Sequence, residues 1–375
     1  MVKEKVRILS FHPFSLYSNG GGSRILRRLY EGHENEIICM VLQENIEPVK
    51  KGETQQVVIK QFPLHRSWYK WYLRKITFWL RNKGLRFQTI RKIRAAEKNI
   101  DYDIIHVVNH GLFSAALFPQ IVSQKKEVWA SFHDYFSACG GTFRDAEELW
   151  KLADRRFVIS YELGITYSKL FGSFKYEIVT DGLYKHEISP PLISAGSPDV
   201  LRIYFAGLLH LDYLPLIKVL ADALDLLASE GYKIQLLLRG TQKVNFLNDR
   251  KFKVIYKPVS LDSDELKSEL DNATILYLPI KFTDTYFYLY SLSTKMVGYL
   301  GGGGAILYHG PVGSAAYNLL HNNECTASCT TLKVEDMLAA LDDTVKNCSV
   351  YSANAKKLAH ENFLLSTFQR KFWQN

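Results

Sequence analysis

Hydroxyl groups and a lysine meet in the run Ser291-Leu292-Ser293-Thr294-Lys295, where an apolar helical pattern begins. The free amides at a helix start attract anions, so the hydroxyls and the Lys295 ammonium could hold a diphosphate there. The alternative is a Ser/Thr helix cap followed by an ordinary lysine. Four glycines at 301–304 then permit a close backbone approach before the next strand. The run predicts a phosphate site formed by Ser293, Thr294 and Lys295.

A second glycine-rich turn, Asn19-Gly20-Gly21-Gly22-Ser23, follows the first apolar strand pattern. It can turn tightly, let a ligand approach the backbone, and open a helix whose amides attract phosphate. The glycines come about ten residues after the strand, so the turn is not the G-x-G-x-x-G dinucleotide fingerprint. A plain turn is the alternative to a binding role for Gly20, Gly21 and Gly22.

Three further polar residues stand where predicted strands end. His133 follows EVWASF, His210 follows the AGLL loop, and Arg239 closes KIQLLLR. Ligands bind beyond the carboxyl ends of the strands in parallel α/β sheets, and a guanidinium there could pair with phosphate. For His133 the alternative is a hydrogen-bonded structural histidine.

The elements that must position these residues alternate between apolar strands and helices. The strand patterns are VRILSF, EIICMVL, QQVVIKQF, DIIHVVN, EVWASFH and RFVISY, then LRIYFAG, KIQLLLRG, KFKVIYKP, ATILYLPI and GAILYHG. The Pro-rich stretch 185–199 between the two series predicts a linker. We therefore expect an α/β protein with two doubly wound Rossmann-like domains, residues 1–184 and 200–375, facing across a cleft that holds the site. The last helix could pack back on the N-terminal domain.

Composition predicts a cytoplasmic protein, and we expect neither a metal nor another cofactor. Apolar residues make up 47% of the 375 residues, and no stretch has the roughly 18 uncharged apolar residues of a spanning helix. The N-terminus enters a strand with no apolar signal-peptide core before it. The five cysteines suit a reducing compartment. His321, Cys325 and Cys329 are four apart, but their loop-like surroundings offer no fourth zinc ligand.

The net charge of +9 comes from one segment. Between Arg66 and Arg94 there are ten basic residues and no acidic one, and without them the net charge would be −1. The stretch 65–94 also holds three of the six tryptophans, at helical spacing. This pattern predicts an interfacial helix on an anionic membrane surface. The residues expected to bind the membrane are Trp68, Lys70, Trp71, Arg74, Lys75, Trp79 and Arg81. The alternative is an aromatic stripe buried on the first domain, and a nucleic-acid role is weaker because no binding module accompanies it.

The order of these motifs resembles the GT-B glycosyltransferases, specifically the retaining glycosyltransferase family 4, along nearly the whole chain. The resemblance is carried by the Gly-Gly loop, HDYFSAC at 133–139, VTDGLY at 179–184, AGLLH at 206–210 and the segment 291–311. It implies that Gly21 and Gly22 approach the transferred sugar or phosphate and that His133 lies near the donor sugar. It also implies donor-phosphate contacts from Arg239, Ser293, Thr294 and Lys295.

The sequence departs from the family at several positions. Tyr290 and Gly298 stand where the family carries two glutamates, Asp284 could replace one of them, and a basic pair is reduced to His210. The resemblance implies a metal-independent, retaining transferase in cell-envelope polysaccharide or glycan synthesis. It would move a sugar from a nucleotide-sugar, its substrate, to a glycan or lipid-linked acceptor at the inner face of the membrane. The missing glutamates support the alternative, a degenerate relative with a binding or regulatory role.

Overall fold

The computed structural model describes residues 6–43, 53–61, 73–192, 200–207, 209, 211–260 and 262–374, with the backbone alone at position 74. Contacts divide the chain into two compact units. Unit 1 comprises Met1–Thr180 and Gln369–Asn375, and unit 2 comprises Asp181–Phe368. Each unit is built on one parallel sheet whose strands are connected by helices.

Unit 1 has a seven-stranded sheet in the order β3-β2-β1-β4-β5-β6-β7. The strands are β1 Ile8–His12, β2 Ile37–Gln43, β3 Gln55–Lys60, β4 Ile104–Val108, β5 Glu127–Phe132, β6 Arg155–Val158 and β7 Glu177–Ile178. The helices are α1 Gly21–Tyr30, α2 Arg74–Trp79, α3 Arg86–Glu97, α4 Phe118–Gln124, α5 Phe143–Leu152 and α6 Tyr161–Phe171. A π-helical turn at Leu80–Gly84 joins α2 to α3, and a 3₁₀ helix at Gly111–Leu117 precedes α4.

Unit 2 has a six-stranded sheet in the order β10-β9-β8-β11-β12-β13. The strands are β8 Leu201–Ala206, β9 Ile234–Arg239, β10 Lys253–Lys257, β11 Ile275–Pro279, β12 Ala305–His309 and β13 Thr326–Cys329. The helices are α7 Leu214–Ser229, α8 Ser263–Asn272, α9 Thr285–Tyr290, α10 Thr294–Gly301, α11 Ala315–Asn322, α12 Val334–Lys346 and α13 Cys348–Asn362.

Continuous apolar runs become the central strands because both faces of a parallel sheet are covered. Every residue of β1, β4, β11 and β12 is buried. All the strands predicted from the sequence are present, which confirms two parallel α/β domains. The two-residue strand β7 is too short to give a sequence pattern. In each sheet the strand order reverses, between β1 and β4 and between β8 and β11, and such switch points are where α/β sheets bind ligands.

The chain ends with α14, Leu365–Trp373, whose last residues belong to unit 1. There the Phe372 ring lies 5.0 Å from that of Trp129, and Trp373 Nε1 donates to the Leu29 carbonyl at 2.7 Å. Of the predicted linker, residues 185–192 belong to unit 2 and 193–199 lie outside the described residues. A cleft shared by the two domains stays a prediction. Among the described residues, no helix combines the length and apolar character that a bilayer crossing requires.

Candidate functional site

In unit 1, polar side chains gather where three neighbouring strands end. His12 is the last residue of β1, Asn109 follows β4, and His133 follows β5. All three are buried, at 0%, 1% and 5% exposure. His12 Nε2, His133 Nδ1 and both amide atoms of Asn109 find no hydrogen-bond partner among the described residues. Because an unpaired buried polar atom costs about 1–3 kcal/mol, these groups mark a candidate binding site.

The glycine-rich turn lies against the same histidine. Gly20 caps α1, which begins at Gly21, so the first amides of the helix have no partner within it. A Cβ at Gly22 would lie 3.4 Å from His133 Nδ1 and 2.9 Å from Phe14 Cζ. Only glycine fits there without displacing a neighbour. The structure therefore brings together Gly22 and His133, two residues singled out separately from the sequence.

Burial keeps the histidines of this cluster uncharged. It lowers the pKa of His133 to about 3, with the neighbouring His110 and His12 contributing, and the pKa of His12 to about 4. The pKa of His110 is lowered by burial as well. At neutral pH each imidazole therefore has one donor and one acceptor nitrogen. The His12 Nδ1–H points to the Phe14 carbonyl at 2.6 Å, which leaves Nε2 as an acceptor. Such neutral groups suit sugar hydroxyls better than a phosphate.

In unit 2, the ammonium of Lys295 has no counter-charge among the described residues. Its Nζ lies 3.9 Å from the centroid of the Phe205 ring and 5.9 Å from that of Tyr213. Burial lowers the pKa of Lys295 to about 7, and no carboxylate of the described residues pairs with it. Gly207, with a φ of +130°, leaves room for the ammonium, since a Cβ there would lie 3.2 Å from Nζ. An anion bound here would restore the charge that burial disfavours.

Lys295 is also the second residue of α10, as the sequence predicts. Ser293 is the N-cap, and its hydroxyl makes no cap hydrogen bond. The first bond of the helix runs from the Val297 amide to the Ser293 carbonyl, so the amides of 294–296 have no helical partner. Three amides, the hydroxyls of Ser293 and Thr294, and the lysine share one helix turn. This combination can bind a diphosphate.

Arg239 has a different environment from the one predicted. It does end β9, but its guanidinium is buried and bonded to Glu269 and Glu265 of α8 and to the Pro258 carbonyl. The bonds with Glu269 raise the pKa of Arg239. Lys257 Nζ approaches Glu269 at 2.6 Å and completes the network. The guanidinium is satisfied by two carboxylates and holds α8 to the sheet, so its charge is neutralised within the protein and is not directed at a phosphate.

The acidic residue proposed for catalysis, Asp284, is the N-cap of α9. Its Oδ1 accepts the Phe287 amide at 3.1 Å, and its Oδ2 lies 3.1 Å from Lys281 Nζ. These contacts explain the residue structurally, and its catalytic role stays a prediction. At the position of one missing glutamate, a Cβ on Gly298 would meet nothing within 4 Å. The first atom of a side chain would therefore have space there.

Several other predicted residues lie outside the described part of the chain. His210 and the membrane candidates Trp68, Lys70 and Trp71 are among them, and the side chain of Arg74 is not described. Asp262 is the N-cap of α8, and its carboxylate accepts the amides of Asp264 and Glu265.

Sequence reasoning missed His12, Asn109 and His110. A usable signal was present, because each stands at the end of a predicted strand, the same position that drew attention to His133. His12 directly follows the strand pattern VRILSF, and Asn109 ends the strand pattern DIIHVVN, with His110 next to it.

No protein-family model matches the sequence, and no curated protein matches it either. Solved structures do match, over nearly the full length of both chains. A sucrose-phosphate synthase from Thermosynechococcus elongatus superposes with a TM-score of 0.69 at 12% identity, covering 98% of each chain. Anabaena HepE, in complex with UDP and glucose, gives 0.64 at 12% identity and 98% of each chain. A UDP-forming trehalose-phosphate synthase from Burkholderia xenovorans gives 0.63 at 10% identity, again with 98% of each chain.

The chain has the GT-B fold. This confirms the fold implied by the sequence resemblance. In GT-B terms, the His12–Asn109–His133 cluster belongs to the N-terminal domain, and the start of α10 belongs to the C-terminal domain.

Proposed function

We propose that the protein transfers a sugar from a nucleotide-sugar donor to a glycan or lipid-linked acceptor. The observation that carries the proposal is Lys295, a desolvated ammonium at a helix start with no carboxylate partner among the described residues. A diphosphate would supply the charge and the acceptors that this turn lacks. The similar structures support the choice of ligand, since HepE was solved with UDP-glucose and the Burkholderia synthase is named UDP-forming.

The protein would assist the departure of the leaving group by stabilising its negative charge. When the bond between the sugar and the diphosphate breaks, negative charge accumulates on the diphosphate oxygens. Lys295 Nζ and the amides of 294–296 would stabilise this charge, and they are already in place before the reaction starts. These groups would do this without a bound metal or another cofactor.

The neutral cluster of unit 1 would hold sugar hydroxyls. His12 Nε2 can accept a hydrogen bond from a hydroxyl group, His133 Nδ1 can donate or accept one according to its tautomer, and the Asn109 amide can both donate and accept. The tight packing of Gly22 on His133 would let the backbone approach the same sugar. We propose transfer with retention, which is the subject of one similar structure, that of trehalose-6-phosphate synthase. The sequence resemblance supports a place in cell-envelope polysaccharide or glycan synthesis.

A nucleotide-sugar screen tests the proposal directly. Thermal denaturation of the full chain with UDP-, GDP-, ADP- and dTDP-sugars should show a raised Tm for at least one of them, because ligands that bind only the folded state stabilise it. Release of free sugar from that donor, and transfer to an acceptor panel, should follow. A flat response to all nucleotides and nucleotide-sugars would contradict the proposal.

The second candidate function is a binding protein that has lost turnover. It is favoured by Tyr290 and Gly298, which stand in place of the two carboxylates that the resemblance leads us to expect. The same screen separates the two functions. A nucleotide-sugar that binds but is neither hydrolysed nor transferred would favour the second.

A further inference from the structure

Large apolar side chains stand exposed where α2 leads into α3. Ile76, Phe78 and Trp79 are 60%, 54% and 55% exposed, and Phe87 at the start of α3 is 76% exposed. In α2, only Thr77 is buried among the residues whose side chains are described. The alternative interpretation of the sequence, an aromatic stripe buried on the first domain, is therefore wrong for Trp79. Neighbouring exposed apolar residues of this size usually mark an interaction surface.

Four exposed cations lie near these side chains in the sequence. Lys75, Lys83, Arg91 and Lys92 are exposed, and none forms an ion pair with a described residue. No acidic residue occurs between Arg66 and Arg94 in the sequence. We call these four cations, with Ile76, Phe78, Trp79 and Phe87, the basic apolar surface.

This surface is anchored to the fold of unit 1. Arg94 Nε donates to the Ala116 carbonyl at 2.9 Å, and Arg86 donates to the Leu112 carbonyl at 3.3 Å. Thr89 and Ile93 are buried on the inner face of α3. The inward-facing basic residues therefore fix the helix, and the outward-facing ones remain for a partner.

The combination of groups selects the partner. Cations alone would bind any polyanion, but bulky apolar side chains are stabilised most by a partner that removes them from water. Aromatic residues favour the interface of a bilayer, and lysine and arginine are drawn to anionic headgroups. Nucleic acid would pair with the cations and could stack on the aromatic rings, but it offers no apolar region for the aliphatic side chain of Ile76. Anionic lipid accommodates both kinds of side chain.

We propose that the basic apolar surface docks the protein on an anionic lipid bilayer. The cations would lie at the headgroups, and Ile76, Phe78, Trp79 and Phe87 would enter the boundary between headgroups and acyl chains. This proposal goes beyond sugar transfer and does not depend on it, because it rests only on exposure and charge in unit 1.

Co-sedimentation of the full chain with vesicles tests it. One set of vesicles contains phosphatidylcholine alone, and the other contains equal parts of phosphatidylcholine and phosphatidylglycerol. Binding should require the anionic lipid and weaken as salt is added. In the bound protein, tryptophan fluorescence should be quenched by lipids brominated near the headgroup, and this quenching should fall in Trp79→Ser.

Two sets of variants separate charge from apolar insertion. Reversal of Lys75, Lys83, Arg91 and Lys92 to Glu should lower the partition coefficient at least a hundredfold, since each cation contributes about fivefold. Reversal of four exposed lysines elsewhere, Lys169, Lys233, Lys243 and Lys357, changes the net charge equally and should have a much smaller effect. Replacement of Ile76, Phe78 and Phe87 by Ser should weaken binding at every salt concentration. These are surface positions, so folding should be retained.

Three results would overturn the proposal. The first is equal binding to neutral and anionic vesicles, or binding to neither. The second is an equal loss of vesicle binding when the four control lysines are reversed, which would show that only the net charge of the protein matters. The third is salt-sensitive binding of RNA or duplex DNA by a protein that ignores anionic vesicles, which would assign the surface to nucleic acid. None of these results bears on nucleotide-sugar binding, so the two proposals can fail separately.

Discussion

Replacing Lys295 by Met removes the ammonium of the proposed diphosphate site while keeping a side chain of similar length. A hydrogen bond to a charged group contributes about 1.5–3 kcal/mol, so the affinity for a nucleotide-sugar should fall roughly 10- to 150-fold at pH 7. The fold should survive, because the change removes a desolvated charge and not an ion pair. Lys218→Met is the matched control, since Lys218 lies on α7 and pairs with Asp222.

The lowered pKa of Lys295 makes a sharper prediction about pH. With a pKa of about 7, Lys295 is charged in roughly half of the molecules at pH 7. Above pH 7, the free energy needed to protonate it rises by about 1.4 kcal/mol per pH unit. The diphosphate of a nucleotide-sugar does not titrate in this range, so the wild-type affinity should fall about tenfold per unit above pH 7. Calorimetry at pH 8 should show uptake of about 0.6 to 0.9 proton on binding. The affinity of Lys295→Met should be flat with pH.

The same shift affects the stability of the unliganded protein. Since the folded protein holds this proton less tightly than the unfolded chain, the unfolded state binds more protons between pH 7 and the ordinary lysine pKa of 10.5. The free energy of unfolding of the wild type should therefore rise relative to Lys295→Met as pH increases across that window. Urea unfolding at several pH values measures it. Unchanged affinity in Lys295→Met, with no proton uptake by the wild type, would refute the role of Lys295.

Other substitutions probe the remaining parts of the site. Gly22→Ala should weaken nucleotide-sugar or acceptor binding and lower the free energy of unfolding by about 1–3 kcal/mol, because its Cβ meets Phe14 and His133. Gly20→Ala is the control, since its Cβ has no contact closer than 3.8 Å. Urea unfolding and binding assays should show little change for Gly20→Ala. Gly298→Glu should raise donor affinity or hydrolysis about tenfold if a carboxylate is what the site lacks; no gain would contradict that interpretation. Arg239→Met should lower the free energy of unfolding by about 3 kcal/mol and leave nucleotide affinity unchanged. Unchanged stability with a loss of nucleotide affinity would show instead that Arg239 binds phosphate.

The sequence by itself determined the elements and their class. Short apolar runs such as those of β1, β4, β11 and β12, alternating with helical patterns, are typical of buried strands in a covered parallel sheet, so the two α/β series could be predicted. The start of α10 was equally readable, because a Ser/Thr cap and a following apolar stripe are local signals.

Only the tertiary structure decided which polar residues act together. His12, Asn109 and His133 are far apart in the chain and meet because the strand order places β1, β4 and β5 side by side. Arg239 ends a strand as predicted, yet the packing of α8 turns its guanidinium towards two glutamates. The lowered pKa of Lys295 likewise comes from the surrounding fold and not from its own sequence. Strand formation depends on short-range pattern, whereas contact, burial and charge pairing depend on neighbours that the chain brings in from a distance.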